Sequence, residues 1–303
     1  MNNIKNLIID GTNLEFRIFY VSKSLQMFTE EGEQTSCIFK FLQTFKRLVN
    51  QFNPDNIYCA WDRKIDRETK NFRKILMKGQ YKVGRPKPPD IEEMFKQEVK
   101  LIEALEYLGC KHMFPNTLEA DDVVGYLARK LEGPNIVVSV DRDLYQLVDD
   151  KNSVYNLKEI ITATNFKDIV GVHQSNFKLY KAILGDPADT IPGLPGYGPV
   201  RSKRLAEEWK ESNISEDYKE IVKKNMKLID LDLGYLMQLG EKQSYDDQFK
   251  SMKVDNKESL DNFKKFCEKY NFEEYLNNFN DWRHVFSRNN LIKTIESLSE
   301  NTK

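Results

Sequence analysis

Two kinds of pattern alternate along the first half of the chain. Residues 4–10, Ile-Lys-Asn-Leu-Ile-Ile-Asp, form a short apolar run that stops at Asp10 and Gly11. Residues 56–62 (Asn-Ile-Tyr-Cys-Ala-Trp-Asp) and 135–141 (Asn-Ile-Val-Val-Ser-Val-Asp) repeat this layout. Each run is β-branched or aromatic, of strand length, and bounded by turn-prone or charged residues, so each predicts a strand. Between them, apolar positions recur three and four residues apart. Phe39, Leu42, Phe45 and Leu48 predict an amphipathic helix over about 35–51. Asp90 with Glu93 has capping-box spacing and predicts a helix running to about 108. Val124, Leu127 and Leu131 predict another that starts at Glu119. Strands alternating with helices imply an α/β fold with a mostly parallel central sheet covered on both faces.

Near Gly171 the pattern becomes helical. Gln174–Leu184 is one expected helix, and Pro199, directly after Gly198, suits the first turn of the next. Leu205 and Trp209 would share one face of that second helix. Residues 215–235 and 257–280 are further helical candidates. The expected division is an α/β domain over 1–171 and a smaller helical domain over 172–303, with a tail that could pack back on the first.

Composition narrows the class. At 303 residues, with 40% apolar and 31% charged positions, the chain reads as globular and large enough to bury a sizeable core. Cys37, Cys59, Cys110 and Cys267 have neither disulfide-framework nor tight zinc spacing. There is no 18-residue apolar span and no signal-peptide run at the N-terminus, so a cytoplasmic protein without a membrane segment is expected. Lys and Arg number 46 against 47 Asp and Glu, a formal net charge of −1. Taken as an average, that argues against a nucleic-acid partner. The arrangement of the charges argues the opposite.

All three expected strands end in Asp: Asp10, Asp62 and Asp141. Open α/β sheets bind ligands beyond the carboxyl ends of their strands, so parallel strands would set these acids on one rim. Asp143 follows Asp141 closely, and Glu119, Asp121 and Asp122 open the helix after residue 118. Singly, each is as well explained as a cap, a turn residue or part of a solvated face. Together, five or six carboxylates on one rim would repel strongly unless protonated or neutralised by cations. All-oxygen ligation suits Mg2+ or Mn2+ rather than zinc, and a pair of such ions is a standard device for phosphodiester hydrolysis. Gly185-Asp186-Pro187-Ala188-Asp189 adds two acids ahead of a turn containing Gly193, Gly196 and Gly198. Such a turn between helices can present backbone groups to a phosphate chain, with Arg201, Lys203 and Arg204 following as a basic footprint.

Residues 63–87 hold ten basic residues, among them Arg73, Lys74, Lys82 and Arg85, and only two acids. Phe72 and Tyr81 interleave with them. A charge run is commonly a solvated face. Basic and aromatic residues mixed beside an acidic rim are what a nucleic-acid grip requires. Nine of the acids fall in the proposed rim, so the rest of the chain carries more base than acid.

These segments also resemble a known family. Leu7-Ile8-Ile9-Asp10-Gly11, with Arg17 and Phe19-Tyr20, resembles the opening of the 5′→3′ exonuclease and flap endonuclease family. Phe72-Arg73 and Tyr81-Lys82-Val83-Gly84-Arg85 are similar to its arch motif, and Glu119-Ala120-Asp121-Asp122 to its acidic helix start. Ser139-Val140-Asp141-Arg142-Asp143-Leu144 resembles its second acidic motif, and Gly185 to Gly198 its helix–three-turn–helix module. Trp61, Arg142 and Thr190 depart from its usual residues. The resemblance spans about 7–210 and implies a PIN-like nuclease core, an arch at about 63–100, and a helix–three-turn–helix at about 174–210. It implies one metal cluster of Asp10, Asp62, Glu119, Asp121 and Asp122 and a second of Asp141, Asp143, Asp186 and Asp189. Two Mg2+ ions, replaceable by Mn2+, would serve them, with K+ at the helix–three-turn–helix. Lys82 and Arg85 would contact the scissile phosphate. Arg73, Lys74, Tyr81, Gly193, Gly196, Gly198, Arg201, Lys203 and Arg204 would contact DNA, Tyr81 by stacking on a terminal base. The implied substrate is 5′-ended or flapped duplex DNA, or an RNA/DNA hybrid. The implied setting is that of a stand-alone, monomeric phage-type replication enzyme. A non-catalytic DNA-binding protein is the rival reading, against which the full acidic set argues, because unused acids near DNA weaken binding.

Overall fold

The computed structural model describes residues 4–62, 71–84, 89–238, 240–252 and 258–287. Its centre is a six-stranded sheet of order β3-β2-β1-β4-β5-β6. The strands are β1 Asn6–Asp10, β2 Asn56–Ala60, β3 Cys110–Met113, β4 Asn135–Val138, β5 Asn152–Tyr155 and β6 Ile160–Ile161. β1 to β5 pair in parallel, and only β6 runs antiparallel. All three expected strands are present, each ending a residue or more before its aspartate except β1.

Side-chain alternation along the strands feeds two hydrophobic cores. Leu7, Ile9, Ile57, Cys59, Ile136 and Val138 face one, and Ile8, Tyr58, Ala60, Val137 and Val154 face the other. The first face is covered by α1 (Gly11–Ser22), α2 (Ser36–Phe52) and a third helix, Ile91–Tyr107. Aromatic residues far down the chain complete it: Phe272 and Tyr275 pack on Phe39, Phe286 stacks on Phe45, and Phe263 and Trp282 lie in the same core. The tail therefore does return to the sheet. The second face carries Ala120–Lys130, Phe177–Leu184, Pro199–Glu207, Glu216–Ile229, Leu231–Met237 and Glu241–Ser251. Both cores include residues from either side of Gly171. No described helix is long and apolar enough to cross a membrane.

Several boundaries differ from expectation for local reasons. Asp90 is no cap: its backbone is left-handed and its carboxylate pairs with Lys23 at 2.6 Å. The helix expected over 215–235 breaks at Asp230, whose side chain accepts from the Asp232 amide and starts Leu231–Met237. The 257–280 candidate divides into Leu260–Lys269 and Glu273–Asn277, interrupted by left-handed Asn271. The helix expected from Gln174 begins as a 3-10 turn and becomes α-helical at Phe177. Strands β3, β5 and β6 carry no readable signal, being two to four residues long and, in β3 and β5, mixed with polar residues.

Thr190, one of the departures from the family's usual residues, sits at φ +63° in the left-handed region. A β-branched residue is strained there and Asn much less so. Thr190→Asn should raise unfolding free energy by about 1 kcal/mol, read as a higher urea midpoint at unchanged slope.

Candidate metal centre and nucleic-acid interface

The strand order reverses between β1 and β4, which makes their carboxyl ends the natural crevice of the sheet. Asp10 ends β1 and is 2% exposed. It caps α1 by accepting from the Asn13 amide and also accepts from the Ser139 hydroxyl at 2.8 Å. Asp62 lies just past β2, where its amide donates to Thr12 Oγ1 and its carboxylate accepts the Ala120 amide at 2.9 Å. It therefore caps the helix that Glu119 and Asp121 introduce. Asp141 sits past β4 and accepts the Asp143 amide at 2.8 Å. Asp186 and Asp189 come from the turn after Phe177–Leu184, and Asp186 accepts the Ala188 amide at 2.9 Å.

These acids feel one another. Burial, reinforced by Asp62 and Asp141 against hydrogen bonds from Ser139 and Asn13, pushes Asp10 up to about 7. Burial also lifts Asp121 well above the carboxylate range, with Asp10, Asp141 and Glu119 adding to it. Asp143 is raised to about 6 by burial, with Lys181 opposing. Asp189 is raised by burial as well. Glu119 moves the other way: burial would raise it, but Lys82 and Arg73 draw it down to about 2.

Two lysines bridge the acids. Lys82 reaches Glu119 Oε1 at 2.5 Å and Asp189 at 3.8 Å. Lys181, which the sequence pattern did not reveal, reaches Asp143 at 2.6 Å and Asp186 at 3.1 Å. Each lysine thus ties an acid of the α/β part to one of the turn after Phe177–Leu184. The only sequence sign of Lys181 is a basic residue in the last turn of a helix, which also suits the dipole.

Four expected roles change. Arg73 and Asp122 are 2% and 0% exposed and form a two-pronged ion pair, both contacts 2.7 Å. Arg73 also donates through Nε to Leu228 O. Burial removes Arg73 from any DNA surface, and both Asp122 oxygens are taken by the guanidinium. Tyr81 is 4% exposed, its hydroxyl shared between Glu119 and Asp189 at 2.9 and 3.1 Å, so its ring is not available to stack on a base. Gly193 packs tightly: a Cβ there would lie 2.1 Å from Leu184 O, so it closes the turn. Gly196 and Gly198 face open space, as backbone contact to a phosphate chain requires. Arg201 and Arg204 are exposed and Lys203 is half-buried against Tyr180. Lys74 is half-buried in the short helix Phe72–Leu76. Arg85 and the basic residues 63–70 lie outside the described residues.

The donor set fits hard divalent cations: carboxylate oxygens whose charges are only partly offset by Lys82 and Lys181. A softer grouping also exists. Cys59, Cys110 and His112 bring their ligand atoms within 4.8 Å, a proximity that sequence spacing concealed. Trp61 Nε1 donates to His112 Nδ1 at 2.7 Å, and burial holds the Cys59 thiol well above its usual value, so the group packs as core.

A family model for the 5'-3' exonuclease N-terminal resolvase-like domain matches residues 5–172. The chain belongs to the 5'-3' exonuclease family. A 5'-3' exonuclease of Bacillus subtilis is 33% identical over 69% of this chain and 72% of its own length. One from Buchnera aphidicola is 30% identical over 72% of the chain and 74% of its own length. The thermostable DNA polymerase I of Thermus thermophilus is 30% identical over 67% of the chain, which spans only 24% of that protein. Among solved structures, zinc-bound T5 5'-exonuclease superimposes with a TM-score of 0.63 at 20% identity, covering 82% of this chain and 98% of that one. The T5 D15 flap endonuclease with DNA and metal ions gives 0.62 at 18%, covering 82% and 99%. At those identities the structures show that the fold is shared: a mostly parallel sheet flanked by helices, with a further helical part.

The raised acids give this family member a testable proton linkage. Between the unfolded carboxylate value and about 7, folded metal-free protein keeps a proton on Asp10 that the unfolded chain has released, and the upward shift of Asp121 acts in the same direction. Stability of the metal-free protein should therefore fall as pH rises through that window. A divalent ion bound there would have to displace the same protons, so its affinity should fall up to about tenfold per pH unit below 7 for each proton displaced. Calorimetric titrations in buffers of different ionisation enthalpy should show proton release at pH 6 and little at pH 8.

Proposed function

We propose that this chain is a structure-specific 5′ nuclease that hydrolyses DNA phosphodiesters at or near 5′ ends and flap junctions. The observation that carries this reading is the convergence of carboxylates from three parallel strand ends and from the turn after Phe177–Leu184 on one crevice, with Lys82 crossing it. Asp10, Asp62, Glu119 and Asp121 would hold one divalent ion directly or through water. Asp141, Asp143, Asp186 and Asp189 would help hold a second, Mg2+ being the natural choice for such oxygen donors. When bound, such ions lower the pKa of an attacking water and offset the charge of the transition state, leaving 5′-phosphate and 3′-hydroxyl ends.

The chain's own residues supply the rest. Burial opposes the charge on Lys82, yet Glu119 and Asp189 hold its pKa above the usual lysine range, so it stays an ammonium. A phosphate entering the crevice competes with those carboxylates for it, and the released ammonium stabilises charge on the scissile group. Gly196 and Gly198 face open space, and Arg201 and Arg204 are exposed on the helix that follows them, where duplex backbone would lie while its 5′ end reaches Lys82. Removal of primers and flaps during replication, in a phage setting, is the matching role.

Asp62→Asn keeps an oxygen for the Ala120 amide, so the helix cap survives while the ligand charge is lost. Single-turnover cleavage of a 5′-labelled flap in Mg2+ should fall by about a hundredfold or more, with flap affinity in Ca2+ nearly unchanged. Wild-type cleavage by that variant contradicts the assignment. Lys82→Ala should likewise slow cleavage far more than it weakens duplex binding.

A further inference from the structure

Beyond the family model's span, the helix Glu241–Ser251 makes an unexpected set of contacts. Glu241 is 1% exposed and lies far from the acidic crevice in sequence. Its Oε1 accepts from the Thr117 amide at 2.5 Å and the Thr117 hydroxyl at 2.8 Å, and its Oε2 accepts from the Asn116 amide at 3.2 Å. Two turns on, Gln248 accepts from the Phe114 amide at 3.0 Å and donates to the Phe114 carbonyl at 2.9 Å. The segment 114–117, which links β3 to Glu119, is thus hydrogen-bonded along its length to this one helix. Asn71 donates to the Thr117 carbonyl at 2.9 Å, which ties the start of the helix Phe72–Leu76 to the same loop.

The preceding helix, Leu231–Met237, acts on the other side of the acidic turn. Gly234 packs so closely on Asp122 that a Cβ would lie 2.1 Å from its Oδ1. The Arg73–Asp122 pair is enclosed there, and Phe72 donates its amide to Gln238 at 2.9 Å.

We propose that Glu241 is a positioning residue: through the 114–117 loop it sets where Glu119 and Asp121 stand in the crevice. A buried carboxylate bonded to three donors on a two-residue stretch fixes that stretch strongly, because leaving any of those groups unpaired is costly. The loop ends two residues before Glu119, so a shift in it moves the carboxylate and the helix start together. This inference rests on reading those acids as metal ligands.

Glu241→Gln keeps the shape but sets an amide NH2 against at least one backbone N–H. Gln248→Ala weakens the same loop from its other end and carries the test if the first variant does not fold. Phe263→Leu, in the core on the opposite sheet face, is the control for a comparable loss in Tm. Calorimetry should show Mn2+ binding about tenfold weaker in Glu241→Gln. At saturating flap, kcat should fall about ten- to a hundredfold with KM within about twofold. The control should leave both at wild-type values. If Glu241→Gln and Gln248→Ala match the control in Mn2+ affinity and kcat, the helix is only structural and the proposal is overturned. If wild-type protein itself binds no Mn2+, the metal reading fails first.

Discussion

Negative charge that cannot be dispersed governs this molecule. Asp10, Asp62 and Asp141 are set at the ends of parallel strands, and the carboxyl of Asp10 rises to about 7 because burial and its neighbours oppose ionisation. Such an arrangement is costly in a folded protein without a counter-charge. Lys82 and Lys181 supply part of it, each bridging acids from different parts of the chain. The remainder is relieved by protons held on the raised carboxyls, or by cations that displace them. In the proposed reading, divalent ions would supply the counter-charge that the two lysines leave unmet.

Much else follows from holding those acids in place. The acids double as caps: Asp10 for Gly11–Ser22, Asp62 for Ala120–Lys130, and Asp141 and Asp186 for short 3-10 turns. Secondary-structure ends and candidate ligands are the same residues, so the geometry of the crevice is built into the chain path. The Arg73–Asp122 pair and the loop clasped by Glu241 and Gln248 then anchor the helix Phe72–Leu76 and the acidic turn against each other. Buried ion pairs add little net stability but are severely disruptive when halved, which suits a part that must not drift.

The features legible in the sequence are those carried by strong local signals. The strands leading to Asp10, Asp62 and Asp141 are apolar enough to announce themselves, and the acid that closes each run points to a shared crevice. β3 and β5 are not legible because four residues mixed with Lys111, His112, Asn152 and Ser153 resemble loop; their neighbours in the sheet make them strands. The roles of Arg73, Asp122 and Tyr81 are easily misread because motif and charge show residue type, not burial. Arg73 looks like a surface cation until Asp122 is seen to face it. Lys181 and Glu241 act through residues distant in the chain, and only the fold brings them to their partners.

The central claim is that one crevice gathers two sets of carboxylates around divalent cations. Anomalous diffraction from crystals soaked in Mn2+ tests it most directly. Two peaks about 4 Å apart are expected, one beside Asp10, Asp62 and Asp121 and the other beside Asp143, Asp186 and Asp189, with Lys181 swung away from its acids. A crevice without bound ions at millimolar Mn2+, with Lys82 and Lys181 still in their ion pairs, would contradict it.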